Sequence, residues 1–115
     1  MTKHLPNYIH SLRKRWALTQ RDLAFLLAIS ETHLREIEHG KRNPTQVALI
    51  GSEIVFGRLP RNAFPALYEQ METEILSRAA TLYERLEDRT DDRSVEKRRL
   101  LLDMIQRTEP IRTSV

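Results

Sequence analysis

A chain of 115 residues with a net charge of +3, 40% apolar residues and 30% charged residues is long enough for one domain and an extension. It has no cysteine, which excludes a disulfide scaffold, a thiolate nucleophile and a cysteine-based zinc site. The longest apolar run, LAFLLAI, is too short to cross a bilayer, and the first ten residues lack the apolar segment of a signal peptide. No stretch shows the alternation of a strand, so we expect an all-α, cytoplasmic protein.

Two helices are predicted before residue 28. The first begins at Pro6-Asn7 and ends near Trp16. Its apolar face comprises Ile9, Leu12 and Trp16. Thr19 is the expected N-cap of the second helix, with Asp22 as the capping-box acid three residues later. The apolar positions of this second helix are Leu23, Leu26 and Leu27, and the small Ala24 lets another helix cross closely.

A third helix follows the turn Ala28-Ile29-Ser30. Ser30 is its expected N-cap, and its apolar residues Leu34 and Ile37 should face the second helix. The side chains off this face should be exposed; they are Glu31, Thr32, Arg35 and Glu36. Gly40 provides the positive φ that ends the helix, and Pro44 prevents its continuation.

Two short helices joined by a tight turn predict a helix-turn-helix, whose second helix can enter the DNA major groove. The pattern resembles the xenobiotic-response-element (XRE) type of this motif, the group that includes the lambdoid phage repressors and Cro. The residues that carry the resemblance are Thr19-Gln20, Ala24, Ala28-Ile29-Ser30, Leu34, Ile37, and Glu38-His39-Gly40-Lys41-Arg42-Asn43-Pro44. The resemblance covers roughly residues 5–65 and implies a five-helix repressor-like domain.

The chain departs from the XRE pattern at two places. Ala28 stands where most members have glycine, and an alanine at positive φ costs around 1 kcal/mol. Trp16-Ala17 replaces the usual glycine or polar residue before the Leu-Thr-Gln run, so Trp16 is expected to pack on the domain or on a partner.

The resemblance also implies which residues touch DNA. Gln20 should contact phosphate and buttress the third helix. Glu31, Thr32 and Glu36 should face base edges, since glutamate accepts from cytosine N4 and threonine can touch a thymine methyl. A glutamate without a cytosine would instead be held by a cation, and Glu31 and Arg35 are also i, i+4 partners on an ordinary helix surface. The remaining residues expected to reach bases or phosphates are Arg21, His33, Arg35, His39, Lys41, Arg42 and Asn43.

The positive charge is concentrated in the half of the chain that holds this motif. Residues 1–60 contain nine Lys or Arg and five Asp or Glu, whereas residues 61–115 contain ten and eleven. The clusters Arg13-Lys14-Arg15 and Lys41-Arg42 lie on either side of the third helix, where cations could bind phosphate. The alternative is that they form a solvated face.

Three further helices are predicted. One runs from Pro44 to Phe56, ends at Gly57, and has as its core side Val47, Ile50, Ile54 and Val55. A long helix starts at Asn62 or Ala63 and reaches about Asp88. Its apolar stripe is Leu67, Met71, Ile75, Leu82 and Leu86, widened by Tyr68, Leu76, Ala79 and Tyr83. After a polar break at residues 89–92, Ser94 caps a last helix that ends near Arg107, with apolar positions Val95, Leu101, Leu102 and Ile105. Residues 109–115 should be frayed.

The long stripe must be covered, either by the last helix folding back or by the same helix of a second subunit, and both can hold at once. We therefore assign residues 1–64 to a DNA-binding domain and residues 65–115 to a helical extension for dimerisation or partner binding. Its interface residues are Leu67, Met71, Ile75, Leu82, Leu86, Leu101, Leu102 and Ile105. A dimer is favoured because one short helix reads few bases, whereas a two-fold dimer reads a palindrome with half-sites about 34 Å apart.

These observations predict a homodimeric transcriptional repressor that occludes a promoter. The alternative is an antitoxin-like protein whose C-terminal helices mask a partner protein while its helix-turn-helix autoregulates; a third is a structural DNA protein. No cofactor is expected, because the extension is too short to enclose a pocket. No enzyme or metal site is expected, because Glu36-x-x-His39 has no second copy and the segment from Gly51 to Gly57 lacks the Lys-Ser/Thr of a phosphate loop.

Overall fold

A computed structural model describes residues 5–108 of the chain and confirms the all-α class: within this range there are helices and no strand. The helices are α1 (Ile9–Arg15), α2 (Gln20–Leu27), α3 (Glu31–Glu38), α4 (Gln46–Phe56), α5 (Pro60–Ala63), α6 (Pro65–Leu86) and α7 (Asp92–Thr108). The chain divides into two compact units, one through residue 70 and one from residue 71 onward. The expected frayed tail, residues 109–115, lies outside the described residues. No helix between residues 5 and 108 is both long enough and apolar enough to cross a membrane.

The caps and turns of α2 and α3 confirm the local predictions. The Thr19 hydroxyl accepts a hydrogen bond from the Asp22 N–H at 3.0 Å, and the Asp22 carboxylate accepts one from the Thr19 N–H at 3.0 Å. The Ser30 hydroxyl accepts from the His33 N–H at 3.0 Å. Ala28 has φ 56° and ψ 42°, the left-handed conformation expected at this turn, and Gly40 follows α3 with φ 73°. Local hydrogen-bonding chemistry therefore sets both ends of this helix pair.

The core of the first unit lies between α1, α2, α3, α4 and α5. The buried apolar residues are Ile9, Leu23, Ala24, Leu27, Leu34, Ile37, Ala48, Ala63 and Phe64. Leu34 and Ile37 are buried as predicted, so α3 has one apolar face. Leu26 is mainly exposed, which makes the apolar face of α2 narrower than the predicted one.

Helix α1 is shorter than predicted at both ends. Asn7 lies outside it, because its side-chain oxygen accepts from the Ile9 N–H at 3.0 Å while its amide donates to the Ile37 carbonyl at 2.8 Å. The prediction that Trp16 shares the face of Ile9 is wrong, since Trp16 follows the helix and is 63% exposed. Ala17, with φ 59°, then turns the chain.

The predicted core side of α4 is wrong at three of its four positions; the fourth, Val55, is partly buried and packs against the core. Val47, Ile50 and Ile54 are 58%, 62% and 79% exposed, and the buried residues are Ala48 and Ser52. The helix is capped by Thr45, whose hydroxyl accepts from the Ala48 N–H at 3.2 Å, so it begins after Pro44 rather than at it. Its small residues lie on the buried side because they allow neighbouring helices to approach closely. We call the exposed set Val47, Ile50 and Ile54 the α4 stripe.

The predicted long helix is interrupted near its start. Phe64, at φ −129° and ψ 61°, separates the four-residue α5 from α6, which begins at Pro65. A residue before proline is disfavoured in the helical conformation, and proline has no N–H to continue the α5 ladder. Helix α6 also ends at Leu86, before the predicted Asp88.

The second unit is a hairpin in which α7 folds back on the second half of α6. Its buried residues are Ala79, Leu86 and Leu101, with Tyr83 and Met104 packed against them. The Arg98 guanidinium donates to the Leu86 carbonyl and, at 2.7 Å, to the Arg89 carbonyl, which satisfies groups left open where α6 ends. The predicted Ser94 cap is wrong: Asp91 accepts from the Ser94 N–H at 3.1 Å and from its hydroxyl at 2.8 Å. These hydrogen bonds hold the pKa of the Asp91 carboxyl below its usual range.

Candidate nucleic-acid interface

A buried ion pair fixes the orientation of α3. Arg13 donates from Nε to Glu38 Oε2 at 2.7 Å and from Nη2 to Glu38 Oε1 at 3.1 Å, and the two side chains are 7% and 1% exposed. Arg13 Nη1 also donates to the Leu18 carbonyl at 2.9 Å. Gln20 Nε2 donates to Glu38 Oε1 at 3.2 Å. The ends of α1, α2 and α3 are thus joined through one carboxylate.

This pair corrects the interpretation of the first basic cluster. Arg13 is buried against Glu38 and is not available to phosphate, whereas Lys14 and Arg15 are exposed. Sequence reasoning missed the pair because its members are 25 positions apart. Gln20 lies beside α3 through its hydrogen bond to Glu38.

The electrostatics of Glu38 are those of a carboxylate kept charged while buried. Burial raises its pKa, but the hydrogen bonds from Arg13 and Gln20 and the charge of Arg13 outweigh that effect, so the pKa lies below its ordinary value. His10 Nδ1 lies 3.4 Å from Glu38 Oε1 and 3.2 Å from Arg13 Nη2. The site is therefore stabilised at neutral pH by a fully hydrogen-bonded carboxylate.

Four residues form the outer face of α3. Helical spacing places Thr32, Arg35, Glu36 and His39 opposite the buried Leu34, and all four have solvent-accessible side chains. Thr32, Arg35 and His39 are exposed, and Glu36 is partly exposed. This surface combines a hydroxyl, a guanidinium, a carboxylate and an imidazole, which are groups that can hydrogen-bond base edges.

Two of the residues expected at DNA lie away from that outer face. Glu31 lines an open cleft with Lys14, Gln20 and Arg21, at the start of α2. His33 is half-buried, and its Nε2 atom is buried without a hydrogen-bond partner. The cleft therefore brings two exposed cations and the Gln20 amide together beside the first turn of α3.

The basic loop, residues Lys41, Arg42 and Asn43, is tied to the end of α3. The Glu36 carbonyl accepts from the Lys41 N–H at 2.9 Å and from the Arg42 N–H at 3.3 Å. Arg42 Nε lies 3.7 Å from Glu36 Oε1. All three side chains of the loop are exposed. The loop cations thus extend the outer face of α3 beyond its C-terminus.

The residues predicted as an interface in the extension differ in exposure. Leu67 packs against the core of the first unit. Leu86 and Leu101 are buried within the hairpin, and Ile105 is partly exposed. The remaining four are exposed: Met71, Ile75, Leu82 and Leu102. The α4 stripe is a further exposed apolar surface that the sequence pattern had assigned to the core.

Within residues 5–108, no three His, Asp or Glu side chains come together in a way that could hold a metal ion. Searches of family models, of curated proteins and of solved structures gave no match to this chain.

Proposed function

We propose that the protein is a sequence-specific DNA-binding transcriptional regulator, a repressor that binds a palindromic operator as a homodimer through an XRE-type helix-turn-helix. One observation carries the proposal: the buried Arg13–Glu38 pair fixes α3, while the opposite face of α3 is exposed and continues into the basic loop. A helix held on one side and presenting hydrogen-bonding groups on the other is what base readout requires.

The dimensions of α3 suit a major groove. An α-helix with its side chains is about 10–12 Å across, and the groove is about 12 Å wide. The cleft beside its first turn offers Lys14 and Arg21, and the loop beyond its last turn offers Lys41 and Arg42. Cations at both ends of a reading helix would bind the phosphates that flank the groove and so fix its register.

Two apolar surfaces support the homodimer part of the proposal. The α4 stripe has i, i+3, i+7 spacing and is more than half exposed at every position. Met71, Ile75 and Leu82 are exposed along α6. Either surface could pair two copies.

Substitution of Ile54 or of Ile75 by Asp tests them separately, because only the variant that disrupts the interface should lower the mass in solution measured by light scattering.

The same exposed apolar surfaces favour the second candidate, an antitoxin-like protein that masks a partner protein. Contiguous apolar residues on a monomer mark interaction sites. A chain that stays monomeric and aggregates through these surfaces at high concentration would support a missing partner, whereas a closed dimer would support the regulator.

The test is selection of bound sequences from a random DNA pool by the purified full chain, together with its mass in solution. A palindrome recovered by a dimer supports the regulator. Salt-sensitive binding with no recovered motif refutes sequence-specific regulation.

Variants then separate phosphate contacts from base contacts. Lys41→Ala with Arg42→Ala should weaken binding to all duplexes and reduce the salt slope by roughly 2. Thr32→Ala should instead change which site is preferred. Arg93→Ala with Lys97→Ala removes the same number of charges from exposed positions on α7; it is the matched charge control and should do neither. If Thr32→Ala and the Lys41/Arg42 double variant each lost the same affinity for every DNA sequence, the outer face of α3 would not be the surface that reads bases.

A further inference from the structure

Glu36 is the only acidic residue of the outer face of α3, and it is paired with the basic loop. Its Oε1 atom is 3.7 Å from Arg42 Nε, with the two side chains 43% and 52% exposed. That separation exceeds a normal hydrogen bond, so the contact is a loose surface ion pair that another anion can displace. The backbone holds the two residues together, because the Arg42 N–H donates to the Glu36 carbonyl at 3.3 Å.

A DNA phosphate is the anion that would compete for Arg42. Once the guanidinium moves to phosphate, the Glu36 carboxylate faces the groove without its counter-charge. A carboxylate in that position is repelled by the DNA backbone and loses its hydrating water. A hydrogen bond donated by a base offsets this cost, and without one the site is disfavoured. The major-groove donors are cytosine N4 and adenine N6. The adenine donor lies beside the N7 acceptor, which repels a carboxylate, so cytosine N4 is the donor that suits glutamate.

We infer that Glu36 is a specificity-determining residue that selects a cytosine opposite it and, through its competition with phosphate for Arg42, penalises every other base. The inference rests on the proposed function and adds a discriminating role to a residue that looks unfavourable for DNA binding. Thr32 and Arg35 supply attractive contacts, whereas Glu36 acts mainly against wrong sites.

The test compares three single variants of the full chain on the selected operator and on a random duplex. Glu36→Gln removes the charge and keeps the size. Glu36→Ala removes the side chain beyond Cβ. Glu53→Gln, an exposed glutamate on α4, makes the same charge change away from α3 and controls for net charge. Each dissociation constant is measured at several salt concentrations, and sequence selection is repeated with Glu36→Ala.

Glu36→Gln should bind the random duplex roughly five- to tenfold more tightly near 0.1 M salt, with a salt slope steeper by about 0.9, because Arg42 is free for phosphate. The ratio of operator to random affinity should fall about tenfold. Selection with Glu36→Ala should lose one cytosine from each half-site. Glu53→Gln should leave the ratio and the motif unchanged.

Three results would overturn the inference while leaving the proposed function in place. They are an operator without a fixed cytosine, a Glu36→Ala motif identical to that of the native protein, and equal effects of Glu36→Gln and Glu53→Gln. Failure of the native protein to select any motif would overturn the proposed function and this inference with it.

Discussion

Replacing Gly40 by alanine should destabilise the first unit far more than the same change at Gly57. The two glycines have nearly the same φ, 73° and 68°, so the cost of placing an alanine at positive φ is about 1 kcal/mol at both. They differ in surroundings. A Cβ at Gly57 meets nothing within 4 Å, whereas one at Gly40 would lie 2.5 Å from the Leu5 carbonyl oxygen and 2.8 Å from its nitrogen.

The clash at Gly40 is with backbone, which cannot rotate away as a side chain does. Leu5 also donates its N–H to the Gly40 carbonyl at 3.3 Å, and Asn7 holds the following chain to Ile37. Overpacking of this kind costs about 1–3 kcal/mol. Added to the backbone cost, it predicts a loss of about 2–4 kcal/mol for Gly40→Ala and about 1 kcal/mol for Gly57→Ala.

Urea unfolding followed through the amide resonances of α3 measures the first unit by itself. The expected result is a lower midpoint for Gly40→Ala than for Gly57→Ala, with unchanged slopes. If both variants lost the same free energy within about 0.5 kcal/mol, the contact between Gly40 and Leu5 would contribute nothing, and the reasoning would be refuted.

Three other changes test the remaining structure. Glu38→Gln should cost about 3 kcal/mol at pH 7, because it leaves the buried Arg13 guanidinium without its counter-charge. Because the pKa of Glu38 is lowered in the folded state, its charge stabilises the fold above the ordinary pKa of 4.5, and this stabilisation is lost as the pH falls. Between pH 7 and pH 3, the free energy of unfolding in urea should therefore decrease less in the Gln variant than in the native protein. Ala28→Gly should raise stability by about 0.5 kcal/mol, seen as a higher Tm, because relief of the left-handed alanine exceeds the added entropy of the unfolded chain. Arg98→Ala should speed hydrogen exchange in α7 and leave α3 unchanged, since it frees the carbonyls at the end of α6 at a cost of about 1–2 kcal/mol.

What could be predicted from the sequence was local. The capping box at Thr19, the Ser30 cap and the left-handed Ala28 each depend on residues within a few positions, and all three are confirmed. The signal for the start of α6 is also local, because Phe64-Pro65 disfavours a continuous helix. The apolar stripe nevertheless favoured an unbroken helix in the prediction. At the start of α7, the prediction placed the cap at Ser94, whereas the capping side chain is that of Asp91, three residues earlier.

What could not be predicted depends on which surfaces meet. Aliphatic residues usually mark the core, yet α4 buries Ala48 and Ser52 and exposes Ile54, because close helix crossing depends on small side chains. Likewise, nothing in a basic run indicates that Arg13 turns inward to a glutamate 25 positions away while Lys14 remains exposed. The exposed face of α3 could therefore be predicted from helical spacing, whereas the buried ion pair that holds α3 in place could not.

The Arg13–Glu38 pair also limits how this sequence can vary over time. Loss of either partner alone leaves a buried, uncompensated charge, whereas joint replacement by well-packed apolar residues is often neutral or stabilising. Substitutions at these two positions should therefore occur together across diverging descendants of the chain. A lineage that keeps one partner and loses the other should carry a compensating charge nearby, and position 10 or position 20, whose side chains already touch Glu38, is where it would arise.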